Sequence, residues 1–383
     1  MSLPGRELPA DTARLLGEGA GWRALSLDPE ATIRASLTLI PGVAMFFAVL
    51  TCDLPARWWL LAVAVTAAML SLALGLAQIA GGAGSGLYLY NSLHQGMPTG
   101  FFTNRNHQGA LLALVPALAA ALVIGFPVVS RRANRSKIGQ VAITAALSTP
   151  AILGVLATGS RAAAMLLALS VASASLMLLV STQTWVRRWQ LGLLAAGLVI
   201  GLGLIYLLVH MSGGSAVGAL AERGVIGEDQ RFDFWPDVVF AIGQYFPVGS
   251  GIGTFEPVFN AAESLSIVGP HYVNHAHNDF LEIAVEAGAP GLALLFAFLA
   301  WGGWRTAHVW RIQAADAGVT MARAASVAIA MLVLHSIVDY PLRTLALSTL
   351  LGMFAAFLAT PVVAVRRQAE SAPLQPTILP NDV

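Results

Sequence analysis

Residues 58–80 read WWLLAVAVTAAMLSLALGLAQIA, an apolar block without a single charged side chain. A helix of this length crosses the roughly 30 Å hydrocarbon core of a bilayer. Because every backbone polar group in lipid must be hydrogen-bonded internally, we expect the block to form a transmembrane helix. Similar blocks recur along the chain. They predict an all-α fold, a polytopic transmembrane helical bundle.

The composition also indicates a membrane protein. Of the 383 residues, 57% are hydrophobic and only 11% are charged, against about 25% charged residues in soluble domains. Too little polar surface remains to cover a water-soluble globule. The net charge of +1 provides no basic surface, so we expect no nucleic-acid partner. Cys52 is the only cysteine, so no intrachain disulfide can form.

Hydropathy predicts nine spans, of which the first and the eighth are short. They are residues 37–52, 58–80, 106–129, 139–158, 162–181, 190–210, 279–303, 325–339 and 344–364. The N-terminal segment lacks an apolar core, which predicts no signal peptide. The chain then divides into a periplasmic or peripheral segment, a first half-bundle, a periplasmic loop, a second half-bundle and a cytoplasmic tail: residues 1–36, 37–210, 211–278, 279–364 and 365–383.

Basic residues cluster in alternate loops, which predicts the orientation of the bundle. The clusters fall within residues 131–137, 187–188, 305–323 and 366–367. Under the positive-inside rule that side is cytoplasmic, and the N-terminus lies outside. The 211–278 loop then also lies outside. It is too long and aromatic for a bare linker, so we expect short helices over the outer mouth of the bundle.

Two arginines stand at the outer ends of predicted spans. Arg105 lies in Asn104-Arg-Asn-His107, either as an interfacial anchor that reaches the headgroups or as a ligand for an anion. Arg161 lies at a helix N-terminus, where the helix dipole and the positive-inside rule both disfavour a cation. An arginine placed against both trends indicates an anionic ligand. An ion pair with a carboxylate is the alternative.

The long loop adds Arg231 and Trp235, followed by the glycine run Gly249-Ser-Gly-Ile-Gly253. We exclude a dinucleotide site, because no strand precedes the run and the glycine spacing is incomplete. Tight backbone turns are the expected use of these glycines. Trp235 either stacks on a sugar ring or packs the loop.

Three histidines, His271, His275 and His277, lie close to Asp279 and Glu282. Their spacing matches no standard zinc pattern, so we favour a site without a metal. Histidine titrates near neutrality, and one of the three is therefore a candidate general base. Interfacial histidines without a catalytic role are the alternative.

A last polar cluster contains His335, Asp339, Tyr340 and Arg343. We interpret Asp339 chiefly as a staple between two helices. A lipid-linked glycan transporter or polysaccharide-export subunit would place ionisable groups near mid-span, along a path. Here the polar groups gather at one face instead, which favours a one-sided active site.

Taken together, these residues resemble the O-antigen ligase/O-antigen polymerase superfamily. His277-Asn278, nine further residues, then Gly288 and Gly291 match a family pattern. Other resembling stretches follow in the family's order, across roughly residues 25–365: Asn104–His107, Gly159–Arg161, Arg231 with Trp235, Gly251–Phe255 and Asp339–Arg343. Residues 26–32 look like an outer loop that follows earlier helices in the family, so the resemblance implies that this chain begins inside that loop.

The resemblance implies a metal-independent glycosyltransferase of the bacterial inner membrane, without cofactors, whose active site faces the periplasm. Such an enzyme transfers a glycan from undecaprenyl diphosphate to an acceptor hydroxyl. The acceptor is lipid A–core in ligases, another lipid-linked glycan in polymerases and a protein hydroxyl in related oligosaccharyltransferases. The sequence leaves these three open, together with the identity of the glycan.

The chemistry implied by the resemblance assigns roles to the arginines. Arginine keeps its charge and offers paired donors to phosphate oxygens. We expect Arg161 and Arg231 to act on the diphosphate from one common cavity, with Arg105 as a third cation. The expected substrate-binding residues further include Asn106, His107, Trp235, Asn278, Glu282, Asp339 and Arg343.

His277 is the expected catalytic base, oriented by Asn278 or Glu282. We expect His277 and Gly288 on nearly the same face of one helix, since they are about three turns apart. Gly288 and Gly291 would then let a neighbouring helix approach closely. Pro290 would kink the helix at that level.

Overall fold

The computed structural model describes residues 4–7, 11–12, 15–17, 24–91, 93–126, 128–129, 137–180, 230–269, 272–312 and 316–360. Within these ranges the regular structure is entirely helical, as the apolar blocks predict. The α-helices in chain order are α1 (Pro29–Leu37), α2 (Ile40–Thr51), α3 (Leu54–Gly81), α4 (Arg105–Gly125), α5 (Lys137–Thr158), α6 (Arg161–Val180), α7 (Gln230–Tyr245), α8 (Phe255–Ala262), α9 (Asp279–Arg311), α10 (Ala317–His335) and α11 (Leu345–Ala359).

The described residues contain seven helical stretches that are long and apolar enough to cross a membrane. They are α1 with α2, and then α3, α4, α5, α6, α9 and α10. The shorter apolar helix α11 packs against α2 and α10. The chain is therefore a multi-pass membrane protein. The predicted span 190–210 and the tail 365–383 lie outside the described residues.

Helix α4 is the centre of the bundle, and α3, α5, α6 and α10 pack around it. Most of its apolar residues are buried within the protein. Small residues permit this close packing. A Cβ added at Gly109 of α4 would lie 2.6 Å from Ala163 Cβ of α6. The central position of α4 matters for the site, because its first turn carries Arg105, Asn106 and His107.

Two predicted span boundaries differ from the structure because arginines lie inside helices. Arg323 lies within α10, which begins at Ala317 after an Asp316 cap, and the Arg323 guanidinium donates to the Ile312 carbonyl. Arg305 lies within α9 and donates to the Leu358 carbonyl at 2.8 Å. The hydropathy prediction placed the span boundaries next to Arg305 and Arg323. Carbonyls at neighbouring helix ends satisfy the guanidiniums and allow the helices to continue.

Part of the long loop folds onto the bundle as short helices. Helices α7 and α8 pack against each other and against α9. Phe234, Val238 and Phe259 form a small apolar core between them, together with Val285 of α9. Residues 211–229 and 270–271 of the predicted loop lie outside the described residues.

Helix α9 is two helices joined at Gly288, which corrects the prediction of one continuous helix face. Gly288 has φ 55° and ψ −145°, so the helical repeat does not carry past it. Because Gly288 has no Cβ, the backbone of the glycine-rich loop (residues 247–253) can approach it closely. A Cβ at Gly288 would lie 2.3 Å from the Pro247 carbonyl oxygen. The Ala289 amide donates to the same carbonyl at 2.8 Å. Gly288 therefore accommodates a loop rather than a neighbouring helix, and His277 lies before α9.

Gly291 does not admit a neighbouring helix either. A Cβ at Gly291 would meet Ala287 and Ile283 of its own chain segment. Pro290 lies within the helix just beyond the break. Because proline lacks an N–H, it suits the first turn of the second half of α9. The change of direction therefore lies at Gly288, with Pro290 starting the new helical run.

Candidate active site at one end of the bundle

The candidate site lies where α4, α6 and α9 begin and where α5 and α10 end; we call this the site end. His277 stands directly before α9, with a left-handed φ of 48°. This conformation costs a residue other than glycine about 1 kcal/mol. Asn278 caps the helix, and its Oδ1 accepts the Phe280 amide at 2.9 Å and the Leu281 amide at 3.1 Å. The Asn278 side-chain oxygen is therefore committed to the helix, and an orienting role of Asn278 towards the His277 ring stays a prediction.

Asp339 is the carboxylate that faces His277. Its Oδ1 lies 3.4 Å from His277 Nδ1 and 3.6 Å from His107 Nε2, and its Oδ2 lies 3.6 Å from His335 Nε2. These contacts are longer than an ordinary hydrogen bond. Asn106 Nδ2 adds a hydrogen bond of 2.9 Å to Oδ2. Asp339, not Asn278 or Glu282, is thus the polar group that faces the His277 ring.

The charge state of Asp339 follows from this environment. Complete burial alone raises the pKa of a carboxyl group. The contacts from His107, His277 and His335 outweigh burial and hold the Asp339 pKa well below 3.8. Asp339 is therefore an ionised group at neutral pH. Because it is fully buried, it acts on neighbouring side chains and not directly on a substrate.

Tyr340 separates three of the histidine rings. Its ring centroid lies 4.2 Å from that of His275 and 4.9 Å from those of His107 and His277. Burial and the Asp339 charge raise the Tyr340 pKa to about 12. The phenol therefore keeps its proton and packs the imidazoles in fixed orientations.

A cavity of about 160 Å³ opens at the same end. Both Arg161 and Arg231 line it, as expected from the sequence. The first turns of α4 and α6 also face it, through Asn106 and Ala162. Helix N-termini carry partial positive charge, so the cavity combines two guanidiniums with two favourable dipole ends for an anion. The remaining lining residues are Met165, Phe232, Trp235 and Val338.

Three residues connect the cavity to the histidine cluster. Asn106 lines the cavity and donates to Asp339. Trp235 also lines the cavity, and its Nε1 donates at 2.9 Å to the carbonyl of Ala276, the neighbour of His277. Arg231 approaches from the same side and donates to the Val338 carbonyl, next to Asp339. The candidate base and the candidate anion site are therefore adjacent.

Arg105 does not line this cavity. It is buried, and its Nη1 donates at 3.0 Å to the Thr158 carbonyl. Thr158 ends α5 just before the turn that leads to Arg161. The geometry favours a role for Arg105 in supporting that turn over the expected role as a third diphosphate cation.

Arg343 was expected to bind substrate, but it lies in a buried group of carboxylates. Its Nη2 is 2.8 Å from Glu286, and its Nε is 3.4 Å from Glu282 and 3.8 Å from Asp279. These three carboxylates outweigh burial and raise the Arg343 pKa above its ordinary value. A guanidinium held by several carboxylates is committed to structure and is a poor choice for binding a diphosphate.

The sequence interpretation missed His94 and Glu286. The electrostatic neighbours of His94 include Arg105, Asp339, His107 and His277, so the segment between α3 and α4 contributes to the site. Burial, together with the smaller effect of the Arg105 charge, lowers the His94 pKa to about 4. Nothing in the local sequence around His94 signals this placement. Glu286 has a helical spacing of i+4 from Glu282, which is a signal that could have been used.

The described residues contain no group of three or more histidine, cysteine, aspartate or glutamate side chains arranged to hold a metal ion. His271, one of the three histidines in the metal alternative, lies outside those residues. The other two histidines of the metal alternative are His275 and His277. His275 pairs with Glu282, whereas His277 faces Asp339, so the two rings have different partners.

Comparison with known families adds a finding. Residues 143–296 match the family model described as O-antigen ligase. This match supports the O-antigen ligase/polymerase superfamily. The matched region contains Arg161, Arg231, Trp235 and His277. No curated protein matches the chain.

The match supports a general type of protein. An O-antigen ligase/polymerase-type protein is a membrane glycosyltransferase that works on lipid-linked glycans and glycan acceptors. Part of the site described above lies beyond the matched residues. The fold brings these parts next to the matched region: the first turn of α4, Asp339 and Arg343.

Proposed function

We propose that this protein transfers a glycan from undecaprenyl diphosphate to an acceptor hydroxyl on the periplasmic side of the bacterial inner membrane. The observation that supports this most directly is the shared cavity of Arg161 and Arg231 beside the His277–Asp339 pair. The cavity suits a diphosphate, and the pair suits removal of a proton from a hydroxyl. A glycan transfer from a lipid diphosphate needs both.

The proposed reaction uses His277 as general base. Asp339 faces Nδ1, which leaves Nε2 to accept the proton of the acceptor hydroxyl. The acceptor oxygen attacks the anomeric carbon of the donor. The bond between that carbon and the diphosphate oxygen breaks, and undecaprenyl diphosphate leaves with the bonding electrons. Arg161 and Arg231 stabilise the negative charge that grows on the leaving diphosphate.

The other side chains of the cavity fit the same donor. Trp235 and Phe232 have ring centroids 4.9 Å apart and present aromatic surface beside the arginines. We propose that Trp235 contacts a sugar of the donor. We further propose that the reaction needs neither a metal nor a cofactor, since cationic side chains and a base account for each step. Full activity after exhaustive treatment with EDTA is the expected result.

The His277→Ala variant tests the base. We expect transfer to fall at least about 100-fold, which is the ordinary contribution of general base catalysis. The variant should still insert and fold, because the side chain is partly exposed and contributes little packing. Transfer is measured with purified protein, a lipid-linked glycan and an acceptor. Near-normal transfer by well-folded His277→Ala protein would reduce His277 to a structural residue.

The acceptor class needs a separate experiment. A strain that lacks the protein is profiled for its glycans. Loss of glycan from lipid A–core indicates a ligase, loss of long chains indicates a polymerase, and loss from protein indicates an oligosaccharyltransferase. A glycan that accumulates on the cytoplasmic face of the membrane would instead support a transporter.

A further inference from the structure

The backbone immediately before His277 is held at both of its polar groups. The Ala276 amide donates to Glu282 Oε2 at 2.9 Å. The Ala276 carbonyl accepts from Trp235 Nε1 at 2.9 Å. These two bonds fix the orientations of the two peptide units on either side of Ala276. The peptide that follows Ala276 is also the one whose orientation sets the position of the His277 backbone nitrogen.

Glu282 is itself held by its surroundings. The carboxylate is buried, and while Oε2 receives the Ala276 amide, Oε1 lies 2.8 Å from His275 Nδ1 and 3.4 Å from Arg343 Nε. Both oxygens are therefore engaged, and the carboxylate has little freedom to rotate. The His277 ring faces Asp339 rather than Glu282.

The hydrogen bonds at Ala276 bear on the left-handed conformation of His277. A φ of 48° is uncommon for a non-glycine residue and is favoured when the flanking backbone is held in place. Asn278 fixes the following segment by capping α9, and the bonds at Ala276 fix the preceding one. The backbone on both sides of His277 is therefore held by hydrogen bonds, and the His277 imidazole faces Asp339.

We infer that Glu282, Ala276 and Trp235 form a clamp that positions His277 for proton transfer, with Arg343 and His275 holding Glu282 in place. The inference rests on the proposed function, because His277 is the base in that function. It makes Glu282 a positioning residue that acts through the main chain. It also gives Arg343 a role in the reaction without contact with the substrate.

The test compares Glu282→Leu, Glu282→Gln and the control Glu256→Leu in the full-length protein. Leucine removes the acceptor for the Ala276 amide, whereas glutamine keeps one oxygen that can accept it. Glu256 is an exposed carboxylate on the neighbouring helix α8, so its variant makes the same chemical change away from the clamp.

Hydrogen exchange of the peptide around residues 273–280 provides a readout that does not need activity. We expect faster amide exchange in Glu282→Leu, with unchanged exchange in the central helix α4. The Glu282→Gln variant should show a smaller increase, and Glu256→Leu none. Unchanged exchange in both Glu282 variants would overturn the clamp whatever the activity shows.

Steady-state kinetics provide the second readout. We expect kcat to fall roughly 100-fold in Glu282→Leu, the usual effect of a misplaced catalytic group, and about tenfold in Glu282→Gln. The KM for the lipid-linked donor should stay within about twofold, since uniform substrate binding is not removed. A raised KM with normal kcat, or faster exchange with normal kcat, would overturn the positioning role.

The two readouts separate this inference from the proposed function. If the wild-type protein transfers no glycan, the proposed function fails, and hydrogen exchange still decides whether the clamp exists. If Glu282→Leu does not fold, Glu282→Gln decides both readouts by the same criteria.

Discussion

At the scale of single residues, the site depends on how polar groups share partners. One buried carboxylate, Asp339, serves three imidazoles, the Asn106 side-chain amide and the Tyr340 backbone amide. Only His277 among these imidazoles is exposed to a substantial degree, at 24% of its side chain. The buried partners of Asp339 therefore support the one of these three rings that is partly exposed.

Replacing Asp339 by asparagine should reduce both transfer and stability. We expect more than a tenfold loss of transfer, because the His277 ring loses the carboxylate that sets its orientation and tautomer. The free energy of unfolding should fall by about 2 kcal/mol, the value of hydrogen bonds to a charged group. The matched control is Asp53→Asn, an exposed helix cap at the opposite end that asparagine can replace.

The stability difference between wild type and Asp339→Asn should depend on pH in a defined direction. The folded-state pKa of Asp339 lies well below 3.8, so its stabilising effect is complete above about pH 4. It is lost as pH falls further, towards the folded-state pKa. Thermal unfolding in detergent should show a constant difference from pH 5 to 9 and a shrinking one below pH 4. A difference that shrinks between pH 5 and 7 would contradict the low pKa.

The two cavity arginines should not tolerate lysine. A lysine retains the charge but offers a point donor in place of a planar fork. We expect Arg161→Lys and Arg231→Lys each to lose at least about tenfold in kcat/KM for the lipid-linked donor, consistent with charged hydrogen bonds. The control Arg34→Lys, an exposed arginine on α1, should be unaffected. Normal turnover by both cavity variants would show that the diphosphate is bound elsewhere.

At the scale of elements, the break in α9 joins the glycine-rich loop to the site. The Gly249 and Gly288 backbones approach so closely that a Cβ on either would collide with the other segment. The Ser250 and Gly251 amides donate to the Val285 and Glu286 carbonyls, at 2.9 and 2.8 Å. The loop thereby completes the hydrogen bonds that the break in α9 leaves open.

Gly288→Ala should therefore destabilise the protein. The positive φ and the close Pro247 carbonyl both oppose a side chain, and we expect a loss of about 2 kcal/mol. Gly243→Ala is the matched control, because a Cβ there meets nothing within 4 Å in helix α7. That variant should be stabilised by up to about 1 kcal/mol. The midpoints of thermal unfolding in detergent measure both, and a neutral Gly288→Ala would contradict the tight contact.

At the scale of the whole molecule, the two ends of the bundle differ in chemistry. The site end gathers histidines, carboxylates and the cavity arginines. At the opposite end, Arg57, Arg305 and Arg323 donate to groups at helix ends. The positive-inside rule would place the opposite end in the cytoplasm and the site end in the periplasm.

Cysteine labelling tests this orientation. In a Cys52→Ser background, Glu256→Cys should react with a membrane-impermeant maleimide added to intact cells. Arg311→Cys, at the other end, should react only after lysis. Both positions are exposed in the structure, so reactivity reports the side of the membrane. The reverse pattern would place the site in the cytoplasm and remove the proposed access to periplasmic acceptors.

The sequence by itself determined the features that are local in the chain. Apolar blocks of about 20 residues require helices in a membrane, so the all-helical fold followed directly. The choice of Arg161, Arg231 and His277 followed from residue type, from the places of Arg161 and His277 near predicted span ends, and from the family resemblance. The catalytic roles of these residues stay predictions. The shared cavity of the two arginines is present in the structure.

Only the tertiary structure decided which polar groups meet. Asn106 and Asp339 are 233 positions apart in the chain, and their contact depends on how α4 and α10 pack. Hydropathy does not encode that packing, because lipid-facing and core-facing positions are equally apolar. The break at Gly288 likewise depends on the approach of the glycine-rich loop from elsewhere in the chain. The partners of His277 and Arg343 therefore became visible only when the helices were packed together.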